Sequence, residues 1–175
     1  AYVMMAVRIG YYKVHFPAAF YASYFSVRLD DFDLELALKG PEQVRAQIAE
    51  LEAKGNNASA KEKSLLTVLE VVREMFARGL DFLPLDIACS HPTRFLISDQ
   101  GLLPPLMSAP GLGRTAAENI VAARTERPFS SQEDLRVRGR LARPLVKVLQ
   151  ITGCLGQLPA QEQLDLFQTL STDNE

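Results

Sequence analysis

Side chains that commonly do chemistry are scarce in this sequence. There are two histidines, His15 and His91, and two cysteines, Cys89 and Cys154, none at a zinc-like spacing from another. A single cysteine pair in a chain of 175 residues is a weak disulfide framework, so both are expected to be reduced and buried, in a cytoplasmic setting. His91 precedes a proline with no second ligand or nucleophile near it, and no catalytic role is assigned to it. No apolar run approaches the ~20 residues that a bilayer span needs, and no basic-then-apolar leader opens the chain, so no membrane partner is expected. Charge of one sign is lacking too: the net charge is -2 and the pI is near 5.8. What remains is a globular chain with 47% hydrophobic residues, ample for a packed core.

The charge is unevenly placed. Between Pro110 and Lys147 lie eight basic residues, Arg114, Arg124, Arg127, Arg136, Arg138, Arg140, Arg143 and Lys147, against the acids Glu118, Glu126, Glu133 and Asp134. A local excess of +4 on an otherwise acidic chain is the pattern of a local nucleic-acid footprint, with a solvated basic face as the plain alternative.

Helical periodicity dominates the first half. Val3, Met4, Val7 and Tyr11 share one spacing, Pro17 interrupts, and Phe20, Tyr24 and Val27 form the next stripe. All five tyrosines lie within the first 28 residues, which reads as core, or alternatively as a surface docked on a neighbouring domain. "DDFDLE" groups Asp30, Asp31, Asp33 and Glu35. Such a cluster suits either a helix N-cap or magnesium, and the cap is preferred. Val44, Ile48 and Leu51 mark a helix ending at "KGNNAS", where Gly55 and the asparagines supply a turn. Ser59 with Glu62 fits a capping box. Leu65, Leu66, Leu69, Val72 and Phe76 then run to a glycine cap at Gly79, predicting an antiparallel helix pair. Pro84 and Pro92 break the helical pattern, and residues 94–97 read as a short strand.

The most informative stretch is "APGLGRTAAENIVAAR", residues 109–124. Gly111 and Gly113 permit positive φ and close approach of a phosphate to the backbone, and the following helix N-terminus points free N–H groups at that anion. Leu112 turns inward, while Arg114 and Thr115 add charge and a hydroxyl. Nothing in such a grip reaches base edges, so it carries no sequence specificity. A shift of 28 residues places Gly111 on Gly139, Ala117 on Leu145 and Ile120 on Val148, with Leu141 at the place of the second glycine. The second turn, with Arg138, Gly139 and Arg140, is thus a degenerate copy, and Pro144 is tolerable in its helix's first turn. Arg124 is expected to pair with Glu118 or to lie on solvent. The paired turns resemble the tandem helix-hairpin-helix fold, in which two hairpins hold phosphates of both strands of duplex DNA.

After Gly153 the chain has no basic residue and four acids, the composition of a flexible terminus. Within it, Gln163, Leu164, Leu166 and Phe167 resemble the short peptide by which bacterial proteins bind the sliding clamp. Folding these apolar residues back onto the chain's own core is the alternative.

Taken with "AYVMMAVRIGYYKVHFPAAFYASYFSVR", "AKGNNASAKEKSLLTVLEVVREMFARG" and "FSSQEDLRVRG", these motifs make nearly the whole chain similar to the C-terminal part of the PolC-type DNA polymerase III alpha subunit of Gram-positive bacteria. The resemblance implies a mainly α fold. Residues 1–80 would be the helical end of a fingers domain, 81–156 a tandem helix-hairpin-helix domain with one or two short strands, and 157–175 a flexible tail with the clamp peptide. It implies DNA contact by Gly111, Leu112, Gly113, Arg114, Thr115, Arg138, Gly139 and Arg140, and clamp contact by Gln163, Leu164, Leu166 and Phe167. The partners implied are duplex DNA, the sliding clamp and the polymerase domains preceding Ala1, whose absence here would explain a start without an initiator methionine. In that family, palm aspartates outside this stretch hold the magnesium ions that serve nucleotidyl transfer. No catalytic residue and no cofactor are therefore expected in these 175 residues, and the isolated chain is expected to be inactive. Two other readings compete: a free-standing helix-hairpin-helix adaptor joining the clamp to DNA in repair or recombination, and hairpins that make protein contacts only.

Overall fold

The computed structural model describes residues 1–156 and 158–161. Eight α-helices and one two-stranded sheet are found among them. None of these helices is long and apolar enough to cross a membrane.

Helix α1 (Tyr2–His15) gives way at Phe16 to α2 (Pro17–Val27), where Pro17 sits in the first turn and its missing N–H leaves no helical bond unmade. The expected cores of both helices need correction. Helix α1 buries no residue, and Tyr2, Val3, Met4, Val7 and Tyr11 all stand in solvent. Lys13 attaches the helix to the body by pairing with Glu74 at 2.5 Å, and Arg78 donates to the Lys13 carbonyl at 3.2 Å. In α2 the buried face is Tyr21, Ala22 and Phe25, one position round from the expected stripe, and Val27 is 86% exposed. A segment apolar on all sides has no pattern to say which face its neighbours cover.

Asp33 caps α3 (Leu34–Leu38) by accepting from the Leu36 N–H at 3.0 Å, as the preferred reading of the acidic cluster requires. Helices α4 (Pro41–Lys54) and α5 (Ala60–Ala77) pack as the expected pair, with Val44, Ile48 and Leu51 facing Val68, Leu69 and Val72 in one core. The capping box is complete: Ser59 Oγ accepts from the Glu62 N–H, and the Glu62 carboxylate accepts from the Ser59 N–H at 2.8 Å. Gly79, at φ +77, ends the helix while Leu80 N–H reaches back to the Met75 carbonyl.

Strands β1 (Leu96–Ser98) and β2 (Gly101–Leu103) pair antiparallel, Ile97 opposite Leu102. Their hairpin joins the first core through Phe95 and Leu102, beside Phe82. Phe25, Phe32, Phe82 and Phe95 form a cluster whose six ring pairs all lie 5.1–5.9 Å apart. Helices α6 (Arg114–Glu126), α7 (Gln132–Arg138) and α8 (Arg143–Ile151) surround a second core built on Leu106, Ile120, Leu135 and Leu149. The division between cores does not fall at residue 80, because Phe82, Phe95 and Leu102 belong to the first and Leu34 to the second. Cys154 is buried beneath α8, whereas Cys89 is exposed, contrary to expectation; both are free thiols.

Candidate nucleic-acid interface

The turn before α6 is built as a tight reversal. Gly111 takes φ +78, the Leu112 N–H bonds the Ala109 carbonyl at 3.1 Å, and Leu112 drops into the second core with 3% exposure. Gly113 does not use its conformational freedom: at φ -73 it is the extended N-cap of α6, and an added Cβ there would meet nothing within 4 Å. Its lack of a side chain leaves the approach to the helix N-terminus open. Arg114 and Thr115, the first two residues of α6, are exposed.

The second turn repeats this geometry, in a register one residue from the expected one. Helices α6 and α8 begin at Arg114 and Arg143, a shift of 29. Leu141, buried like Leu112, therefore takes that leucine's place and not a glycine's, while Ala142 stands for Gly113. Arg140, at φ +53, occupies the left-handed position of Gly111. Under this register Ala117 and Ile120 match Val146 and Leu149, all four buried. Gly139 has φ -74 and serves packing: an added Cβ would lie 2.6 Å from the Leu135 carbonyl oxygen and 3.4 Å from Ile120.

The two hairpins are interleaved. The first leans on α8, since a Cβ at Gly111 would touch Leu145 at 3.9 Å, and the second leans on α6 through Ile120. Unlike α7, whose Ser131 Oγ accepts from the Asp134 N–H at 3.1 Å, neither α6 nor α8 has a side-chain cap. The N–H groups of Arg114, Thr115 and Ala116 in α6, and that of Arg143 in α8, are left for an external acceptor, and the helix dipoles favour an anion there.

The eight basic residues of this region divide evenly. Arg124 neither pairs with Glu118 nor lies on solvent: it donates to the carbonyls of Ile87 and Ser90 at 2.8 and 2.6 Å, anchoring the loop above α6. Arg127 and Arg138 pair with Asp134, and Arg136 with Glu133. Arg138 also donates to the carbonyls of Ala123 and Arg127 and lies over the Phe129 ring, so its guanidinium faces inward. Arg114, Arg140, Arg143 and Lys147 are exposed and have no carboxylate partner among the described residues. All four stand on the turns or on the two uncapped helices. Arg143 and Lys147 lie outside the turn residues that sequence reasoning chose; correct alignment on the buried leucines brings them in.

Elsewhere the chemistry is spent locally. Asp31 pairs with Arg28, Glu35 with Lys39, and Asp33 caps α3, so the acidic cluster does not fit a magnesium centre. Among the described residues no three His, Cys, Asp or Glu side chains converge on a metal position. His91 Nδ1 accepts from the N–H groups of Thr93 and Arg94 at 3.1 Å, shaping its loop, and burial pushes the ring's pKa down. Gln163, Leu164, Leu166 and Phe167 lie outside the described residues.

Comparison with known proteins agrees with this architecture. Residues 79–164 match a family described as a helix-hairpin-helix motif. Over 167 residues, 95% of this chain, the sequence is 52% identical to "DNA polymerase III PolC-type" of Bacillus cereus. Over the same length it is 51% identical to the protein of that name from Caldanaerobacter subterraneus subsp. tengcongensis and 50% to that of Bacillus subtilis. The chain spans 12% of the length of each of these relatives. With half its residues identical across nearly its whole length, the chain belongs to the PolC-type DNA polymerase III family, as a match to the C-terminal region of its members.

Proposed function

We propose that this chain is the part of a replicative DNA polymerase that grips product duplex and tethers the enzyme to the sliding clamp. The hairpin unit of α6 to α8 with its core holds the duplex, the first core and its helices end the fingers domain, and residues 157–175 carry the clamp peptide Gln163, Leu164, Leu166 and Phe167. The observation that carries this reading is the coincidence of two uncapped helix N-termini with four exposed, unpaired cations on one interleaved hairpin pair. Gly111 to Thr115 supply backbone donors and the Arg114 charge to one strand, and Arg140, Arg143 and Lys147 supply charge to the other. Leu112, Leu141 and Gly139 set the two turns, and Arg138 holds the second in place from within. The exposed apolar face of α1 suits cover by preceding polymerase domains. That face favours this reading over a free-standing adaptor. Nucleotidyl transfer and its magnesium belong, on this reading, to the intact polymerase, and the 175-residue chain alone incorporates no nucleotide.

Duplex titrations at rising salt test the grip. Four phosphate contacts predict a log–log slope of about -3.6, roughly a 100-fold loss of affinity for a fourfold rise in salt. Salt-independent association would instead mark an apolar protein-contact surface. For the tether, Leu166→Ala with Phe167→Ala is expected to abolish binding to the clamp, and undiminished binding by that variant would remove the clamp from the reading.

A further inference from the structure

The two hairpins are alike in backbone and unlike in charge. Gly111, Arg114 and Glu118 of the first correspond to Arg140, Arg143 and Lys147 of the second, so equivalent positions carry no net charge in one and +3 in the other. Backbone donors run the opposite way. The N–H groups of Arg114, Thr115 and Ala116 find no acceptor among the described residues, the first helical bond of α6 running from Ala117 to the Gly113 carbonyl at 3.0 Å. In α8, Pro144 has no N–H to offer at the place of Thr115, and the Leu145 N–H turns back onto the Ala142 carbonyl at 3.0 Å. Arg143 is then the one residue of that helical turn whose N–H is left over. The second hairpin also keeps an arginine at φ +53, where glycine is the unstrained residue, which marks a position at which a side chain is retained despite backbone strain.

We propose that the hairpins hold the duplex mainly by different forces: the first by backbone donors at short range, with Arg114 as its single cation, the second by the side-chain charge of Arg140, Arg143 and Lys147. This rests on the duplex-binding reading above and assigns most of its ionic component to one hairpin. Counterion release follows the number of phosphates neutralised by cations, so the salt dependence of binding belongs mainly to the second hairpin, whereas the first adds affinity at any salt.

The test measures duplex affinity by fluorescence anisotropy across salt for the full chain, for Gly113→Val, and for Arg140→Gln combined with Lys147→Gln. Valine at 113 meets no neighbouring atom at Cβ and an ordinary φ, so that variant folds; a thermal melt verifies each protein. Gly113→Val is expected to lose affinity by a nearly constant factor across salt, its log–log slope falling by no more than about 0.9, the share of Arg114. The double variant is expected to lose about 1.8 from the slope, so its deficit shrinks about 12-fold as salt rises fourfold. Equal flattening by both variants, or an unchanged slope in the double variant, overturns the division of forces while leaving duplex binding intact. No binding by the unmodified chain overturns the duplex reading and this inference with it.

Discussion

Arg138→Ala separates a structural arginine from a DNA-contacting one. The Arg138 guanidinium donates to Asp134 at 3.0 Å and to the carbonyls of Ala123, Arg127 and Pro128, and it lies 5.1 Å from the Phe129 ring centre. Its side chain is 15% exposed and that of Asp134 is 11% exposed. Truncation removes the side-chain donor of the Arg127 and Pro128 carbonyls just beyond α6, while the Ala123 carbonyl keeps the Arg127 N–H. Asp134 keeps Arg127 and the Ser130 N–H, so the cost falls at the lower end of the range for a broken buried pair, about 3 kcal/mol. For a chain of this size that lowers Tm by about 6–12 °C, readable by circular dichroism. The salt slope of duplex binding, measured well below the melt, is expected to stay unchanged. Burial pushes the Asp134 carboxyl up, but the Ser130 N–H and Arg138 outweigh it and hold the pKa below its ordinary value. The pair's contribution is therefore present above the ordinary carboxylate pKa and is lost as pH falls through the folded one, and the variant's acid unfolding moves to higher pH. A Tm within about 2 °C of the unmodified chain together with a slope smaller by about 0.9 would refute this account and put the cation on DNA.

Two further expectations concern the first core. Gly101 sits at φ +146, and an added Cβ would lie 2.5 Å from the Asp81 carbonyl oxygen that accepts the Leu102 N–H, so Gly101→Ala is expected to cost at least about 2 kcal/mol in denaturant unfolding; a neutral result contradicts the close approach. The Lys54 ammonium, then the backbone and side chain of Ser59, lower the Glu62 pKa to about 2. The cap's contribution is thus present above the ordinary carboxylate pKa near 4.3 and fades as pH falls toward 2, and an NMR titration of Glu62 with an ordinary midpoint would contradict it.

Elements whose signals are local were legible in the sequence. Ser59 and Glu62 name each other through the capping box, and Val44, Ile48 and Leu51 can share only one helical face. Asp33 announced its cap for the same reason. The faces of α1 and α2 were not legible, because in a stretch rich in Tyr, Phe, Val and Met the few polar residues, Arg8, Lys13, His15, Ser23 and Ser26, do not line up along one solvent face. The slip in the hairpin register came from matching glycine to glycine. The turn is defined by the leucine that must be buried, and aligning Leu112 with Leu141 would have placed Pro144 opposite Thr115 and revealed Arg143 and Lys147. The inward orientation of Arg138 and Arg124 depends on carbonyls contributed by distant segments, which no local pattern encodes.

Each hairpin rests on the helix of the other, Gly111 over Leu145 and Gly139 over Ile120, with both turn leucines in one core. The separation between the two grips is consequently set by the least compressible part of the domain and not by its loops. The pair acts as a caliper of fixed opening. On the proposed duplex-binding reading, a backbone whose strands lie at the matching distance would be engaged at both jaws without deforming either, and one of different width would meet only a single jaw, so the domain would gauge the shape of the helix and not its sequence.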